Sequence, residues 1–339
     1  MAKCFPVASG VLVLDKPARV NSYDVVREVK RELGRVKIGY LGTLDPLATG
    51  VLPILLGEGT KLAQFLERGD KVYEAIVCLG VTTDTQDEDG QTVRKEDLDR
   101  YDLSPARIRE VAQRFRGRVL QVPPMYSALK HKGKRLYSFA RSGEEVQRRP
   151  REVEVYDIRI MDVDPPYVRF HVECSKGTYI RTLAHDFGEV LGCGAHLAQL
   201  RRTQSGPFTV KEAFSLEDVK NCVKDGRLGE HIVSLTQALS FLSALEVDEN
   251  LALRISQGQT VGIPMCFFGS IQDGERVRIM LSSRQRLVAV GKVTQVENGY
   301  MVTPVRVFHD GVVGREFSSA NEKPVSPGRS GRRIYGSGR

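Results

Sequence analysis

Two hydrophobic periods alternate along the first two hundred residues, one close to 2 and one close to 3.6. Val11-Leu12-Val13-Leu14 is an apolar run stopped at Asp15-Lys16-Pro17, which predicts a buried strand. Val25, Val26, Val29 and Leu33 then recur at helical spacing, with Ser22 as the predicted N-cap and Gly34 as the stop. Val51 to Leu56 predicts another buried strand, Glu58 to Leu66 a short helix, and Lys71 to Gly80 an alternating strand. Beyond an acidic loop from Thr82 to Gly90, Ser104-Pro105 opens an amphipathic helix carrying Ile108, Val111, Ala112 and Phe115. Val153 to Val163 and Tyr167 to Cys174 alternate with period 2 about Asp164-Pro165-Pro166, the pattern of an antiparallel hairpin, and a helix from Thr178 to Leu191 ends at Gly192. Strands separated by helices of uneven length, with at least one hairpin, predict an α+β fold. Its sheet should be mixed and largely antiparallel, flanked by helices, rather than doubly wound.

Near Ser240 to Val247 the texture changes. Short β-type segments (Val277 to Leu281, Leu287 to Val290, Met301 to Val305) separated by glycine turns predict a small β-barrel-like appendage. The expected organisation is a main domain over residues 1–243, a small β domain over 244–314 and a disordered basic tail over 315–339 carrying Arg329, Arg332, Arg333 and Arg339.

Composition narrows the classes without choosing one. The chain has 339 residues, with 50 Lys and Arg against 42 Asp and Glu, a net charge of +8 that favours a polyanionic partner such as nucleic acid. Six scattered cysteines form neither a C-x-x-C pair nor the dense spacing of a disulfide framework or a zinc site, and a reducing compartment fits. The first residues lack the apolar core of a secretory signal, and no stretch approaches the length of a membrane span. A cytoplasmic protein with no membrane attachment is the expectation.

One segment concentrates chemistry. Gly42-Thr43-Leu44-Asp45-Pro46-Leu47-Ala48-Thr49-Gly50 holds a single carboxylate between two glycines, with Pro46 pushing Asp45 toward an extended backbone and Leu44 and Leu47 forming an apolar collar. On residue types alone this is an ordinary Asp-Pro turn. Its neighbours change that reading. The segment through Pro53, together with Lys71-Val72-Tyr73-Glu74-Ala75, Val122 to Lys130, Lys176-Gly177-Thr178-Tyr179-Ile180-Arg181 and Leu200 to Phe208, closely resembles in order the motifs of the bacterial tRNA pseudouridine synthases of the B type.

The resemblance implies a cofactor-free and metal-free isomerisation of a T-loop uridine, uridine-55 in tRNA numbering, to pseudouridine, with the T-arm of tRNA as partner. It implies Asp45 as nucleophile, Arg181 as its charge partner, and Tyr73 as the aromatic that stacks on the base and handles a proton. Tyr179 and Leu200 become walls of the uracil pocket, while Tyr40 and Lys61 become further substrate contacts. Tyr40 stands where the family commonly has histidine, a difference that bears on loop recognition. The insertion over about 124–152 is implied to clamp RNA through Lys130, Lys132, Lys134, Arg135, Arg148 and Arg149, and the region after about Leu245 to be a PUA-like RNA-binding domain. Flipping a uridine out of its stack costs a few kcal/mol that such contacts must recover. No obligatory protein partner and a monomer are expected. The alternatives are the catalytic subunit of an RNA-guided pseudouridylation particle, against which the Val122 to Lys130 block and the basic insertion argue, and a tRNA-folding chaperone that does not need Asp45.

Overall fold

The structure, a computed structural model, describes residues 9–127, 129–263, 272–297 and 299–309. The expected basic tail, parts of the expected 244–314 domain, Cys4 and Cys266 lie outside the described residues. Two compact units divide at Leu242 and Ser243.

The first unit opens with β1 (Gly10–Lys16) and α1 (Ser22–Leu33). Val25, Val26, Val29 and Leu33 are buried, as their spacing predicts. The N-cap, however, is Asn21, and Ser22 is the first helical residue. Its Oγ donates to the Leu44 carbonyl and accepts from the Leu44 amide, both at 2.9 Å. A serine that sequence spacing assigns to capping is therefore spent on a distant backbone. Next come β2 (Ile38–Tyr40) and β3 (Thr49–Leu56), a 3-10 turn over Gly57–Leu62 and α2 (Ala63–Leu66), in place of one short helix. Then follow β4 (Lys71–Leu79) and the small pair β5 (Val81–Thr83) and β6 (Thr92–Lys95), so the segment expected as a plain acidic loop is the end of a hairpin.

Helix α3 (Pro105–Gln113) is capped as predicted, the Ser104 side chain accepting from the Arg107 amide. It leads into β7 (Gly117–Gln121), the short hairpin of β8 (Lys130–His131) and β9 (Lys134–Arg135), and α4 (Leu136–Arg141). The predicted hairpin is β10 (Arg151–Asp164) with β11 (Tyr167–Cys174), antiparallel throughout. Helix α5 (Ile180–Leu191), β12 (Ala195–Ser205), β13 (Phe208–Thr209), α6 (Leu216–Lys224), β14 (Val233–Ser234) and α7 (Leu235–Ala238) complete the unit.

Its main sheet has the order β14-β1-β3-β12-β4-β11-β10-β7, with β2 added beside β3 and β13 beside β12. All of its pairings are antiparallel except β12 with β3. The α+β expectation with a mixed, mostly antiparallel sheet is what the chain adopts. Two cores form. One packs β1 and β3 against α1 and α6, through Leu12, Leu14, Val29, Leu52, Ile54 and Val219. The other packs β4, β10 and β11 against α3 and α5, through Val77, Ile158, Phe170, Ile108, Leu183 and Phe187. Strand β12 is the seam between the halves, and the segment holding Asp45 crosses there.

The second unit contains β15 (Ser243–Val247), α8 (Glu249–Ser256), β16 (Val261–Ile263), β17 (Arg276–Leu281), β18 (Arg286–Val296) and β19 (Gly299–Val307), in the order β15-β17-β18-β19-β16. A curled five-stranded sheet closes over Val247, Ile255, Val277, Ile279 and Val302, consistent with the small β domain read from the sequence. No helix among the described residues is long and apolar enough to cross a membrane.

Because the Leu44 amide and carbonyl are both buried against one hydroxyl, Ser22→Ala leaves two backbone groups without that partner. A loss of about 1–3 kcal/mol in urea-unfolding stability is expected, and an unchanged midpoint and slope would show that the hydroxyl contributes nothing.

Candidate active site

The segment from Gly42 to Gly50 is rigid because its backbone is held from several sides. The buried Lys16 ammonium donates to the carbonyls of Pro17 (2.8 Å), Val20 (2.7 Å) and Pro46 (3.3 Å), and the Arg19 amide also donates to Pro46 O, at 2.7 Å. Burial, with Arg202 nearby, lowers Lys16 to about 8, while the charge of Asp45 opposes the shift. Arg202, also buried, donates through Nε to Val51 O and through Nη2 to Gly42 O, both at 2.8 Å. Gly50 has φ +100°, and a Cβ there would stand 2.1 Å from the Arg202 carbonyl oxygen. No side chain fits, so only glycine lets β3 approach β12 this closely. Leu44 and Leu47 sink into the core, which leaves Asp45 projecting with its side chain 38% exposed.

Arg181 meets Asp45 from α5. Its Nε lies 3.0 Å from Asp45 Oδ2, an ion pair whose angle is too poor for an aligned hydrogen bond. Nη1 lies 3.3 Å from Asp87 Oδ2 and donates to Thr85 O at 3.2 Å, while Nη2 donates to Tyr126 O at 2.8 Å. The guanidinium sits in the first turn of a helix, where the macrodipole disfavours a cation. Two carboxylates on one buried arginine offset this, and they leave the trio with a formal charge of −1.

Asp87 is not singled out by the sequence. It is one of several acids between Thr82 and Gly90, and only the tertiary structure shows that it alone among them is buried. Its Oδ1 accepts from Thr85 Oγ1 and from the Asp89 amide at 3.2 Å. Burial raises its pKa above the ordinary aspartate value, and Thr85 and Arg181 oppose the rise.

Asp45, Tyr73, Tyr179, Arg181 and Leu200 all line one cleft of about 540 Å³, together with Gly42, Lys71, Ser127, Arg151, Lys176 and Arg202. The Gln121 side chain brackets the Tyr179 backbone, accepting from its amide at 2.9 Å and donating to its carbonyl at 3.2 Å. Burial raises the pKa of both the Tyr73 and Tyr179 phenols. Lys71, held to the Gly69 carbonyl, is lowered to about 8 by burial and the Arg202 charge. Tyr40 and Lys61 do not line this cleft. Tyr40 packs half-buried in β2 against the α1 side of the sheet, because its strand faces that core, and Lys61 is paired with Glu58 inside the 3-10 turn.

The basic insertion divides in two. Lys130, Lys132, Lys134 and Arg135 are exposed on the β8–β9 hairpin, whose two-residue tip, Lys132-Gly133, has φ of +47° and +85°. Arg149 is exposed too, but Arg148 turns inward and donates to Pro123 O at 3.0 Å. It pins the insertion to the segment whose Tyr126 carbonyl holds Arg181. Arg202 belongs to one of the ordered motif blocks, and its two-residue offset from Leu200 on a strand is the signal that could have placed both on one face.

The profile of the TruB family pseudouridylate synthase N-terminal domain matches residues 30–180, and that of the tRNA pseudouridylate synthase B C-terminal domain matches residues 181–240. Proteins named tRNA pseudouridine synthase B are similar over most of their lengths. That of Geobacter sulfurreducens is 45% identical, covering 85% of this chain and 92% of its own. That of Syntrophus aciditrophicus is 45% identical over 89% and 99%, and that of Geobacillus thermodenitrificans 42% identical over 88% and 99%. Among solved structures, a chain of a Cbf5-Nop10-Gar1 complex superimposes with a TM-score of 0.69 at 29% identity, covering 88% of this chain and 85% of that one. A chain of an H/ACA RNP bound to a substrate RNA containing 2'-deoxyuridine gives 0.68 at 27%, with the same coverages.

Removing the hydroxyl in Thr85→Val should move the Asp87 carboxyl titration to still higher pH, read from carboxyl 13C shifts. An unmoved midpoint would remove Thr85 from the network.

Proposed function

The chain belongs to the TruB family of pseudouridylate synthases, and from that premise we propose that it isomerises uridine-55 in the T-loop of tRNA to pseudouridine. The observation that carries the reading is the Asp45–Arg181 pair lining a cleft with Tyr73, Tyr179 and Leu200, with buried Asp87 holding Arg181. The net change breaks the bond between ribose carbon 1' and uracil N1 and forms one between the same carbon and uracil C5, while the C5 proton leaves and N1 gains one. No redox partner is required.

In this reading Asp45, partly exposed and paired with a cation, is the nucleophile. Arg181 holds it and counters its charge, and Asp87 fixes Arg181 from the other side so that the guanidinium does not neutralise Asp45 completely. Tyr73 stacks on the base, with Tyr179 and Leu200 completing an apolar slot. The expected contacts of Tyr40 and Lys61 with substrate then lie outside the slot, on RNA flanking the flipped nucleotide. A flipped base entering this cleft meets Lys71, Arg151 and Lys176 around it, cations suited to its phosphates. The exposed Lys130, Lys132, Lys134, Arg135 and Arg149 extend that charge over the neighbouring stem, and the small β unit from Ser243 onward is assigned a further RNA contact. The chain covers 92–99% of its relatives named tRNA pseudouridine synthase B, which favours a guide-independent enzyme over a subunit of an RNA-guided particle.

Incubating the protein with unmodified tRNA, without guide RNA, and mapping pseudouridine by position tests the assignment, the expected product being confined to the T-loop. Asp45→Asn should abolish product while RNA affinity stays close to that of the parent, and turnover by this variant would sink the nucleophile assignment. Replacing Lys130, Lys132 and Lys134 with alanine should flatten the dependence of log K on log salt by about one unit for each phosphate that the hairpin no longer neutralises. An unchanged slope would show that the hairpin does not touch RNA.

A further inference from the structure

Arg202 is 1% exposed, and its hydrogen bonds go to carbonyl oxygens rather than to a carboxylate. A buried cation so held is costly unless its geometry serves something. In the seam strand it is the register partner of Gly50 on β3 and of Tyr73 on β4. One side chain thus bridges the segment that ends the Asp45 loop and the strand that carries the stacking tyrosine. Its donors reach Gly42 O and Val51 O, one on each side of Asp45 along the chain. Gly42, at φ +62°, would place a Cβ 3.1 Å from Arg202 Nη1, so the loop and the guanidinium are fitted closely.

Tyr73, the cross-strand register partner of Arg202, lines the same cleft, where the Arg202 charge acts on the phenol. A guanidinium has donors and no acceptor, so toward Arg202 the phenol oxygen can only accept. The phenol proton is then left to donate elsewhere, and both side chains line the cleft.

We propose that Arg202 is a positioning residue of this site, fixing both ends of the Asp45 loop and turning the Tyr73 hydroxyl so that its proton is presented to the sugar or base held in the cleft. The inference rests on the pseudouridine synthase reading for the identity of the substrate, but the orientation of the phenol does not. Burial raises the Tyr73 pKa most, the charges of Cys174 and Asp45 add to the rise, and the Arg202 charge holds it down. Removing the guanidinium therefore takes away the cation beside the phenol and makes it a weaker acid.

The test compares Arg202→Lys and Arg202→Met with the parent chain, each also in a Tyr73→Phe background, by single-turnover rate on unmodified T-arm RNA at saturating enzyme. Arg202→Met should slow the parent about 10²–10³-fold, the size of loss usual for one preorganised donor, with a far smaller change in RNA affinity, and Arg202→Lys should restore part of the rate. In the Tyr73→Phe background the same substitution should cost much less. Equal fold-losses in both backgrounds would mean that Arg202 does not act through Tyr73, and the proposal would fall. Should Arg202→Met fail to fold, Arg202→Lys carries the same comparison. A separate readout is the Tyr73 13Cζ titration, whose onset should move to higher pH when Arg202 is replaced and whose constancy would overturn the orientation argument. If the parent chain makes no pseudouridine, the functional reading fails instead, and the titration still decides what Arg202 does to the phenol.

Discussion

A single buried guanidinium, that of Arg181, sets the terms for the site. It stands in the first turn of α5, where a cation is unfavourable, and it is kept there by two carboxylates, Asp45 and Asp87, and two carbonyls. Asp45 comes from the loop before β3, Asp87 and Thr85 from the turn between β5 and β6, and Tyr126 from the start of the basic insertion. Four parts of the chain separated by as many as 136 positions between Asp45 and Arg181 must converge before that charge is compensated. The cleft is therefore a consequence of the completed fold and not of any one motif.

The constraint propagates through the backbone of the Asp45 loop. Lys16, Arg19, Ser22 and Arg202 together engage Pro46, Leu44, Gly42 and Val51, so the one partly exposed carboxylate projects from a segment that has few ways to move. Two of these anchors are buried cations, which are expensive to desolvate and contribute little net stability by pairing alone. They are better understood as serving position. Electrostatic catalysis relies on groups that need no reorganisation when charge develops, and a loop anchored on both sides of its carboxylate meets that requirement.

The basic insertion shows charge separating into two uses. Its hairpin tip is kept exposed by a two-residue turn with positive φ, so Lys130, Lys132, Lys134 and Arg135 reach solvent, whereas Arg148 faces inward and ties the insertion to Pro123. Pro123 lies three residues before Tyr126, whose carbonyl receives Arg181. The exposed cations of the insertion and the arginine beside the carboxylate are thus connected through a short stretch of chain, in a geometry that a linear count of basic residues does not reveal.

The sequence by itself determined the elements and the order of the chemistry. Periodicity placed α1, α3, α5 and the β10–β11 hairpin, since apolar spacing is a local property that survives without knowledge of the fold. The ordered motif blocks singled out Asp45, Tyr73, Tyr179, Arg181 and Leu200, which the structure gathers around one cleft. What only the tertiary structure decided is which of several equivalent polar residues would be buried. Nothing local separates Asp87 from Asp84, Glu88 or Asp89, or tells Arg202 from Arg201, which pairs with Asp15 in a half-exposed position. Ser22 reads as a cap because capping is a local rule, yet it holds Leu44 because α1 is packed against that loop. Tyr40 and Lys61 match family positions along the chain but are carried to the α1 side of the sheet and into a turn. Burial depends on which strands become neighbours, and here the parallel pairing of β12 with β3 made that choice.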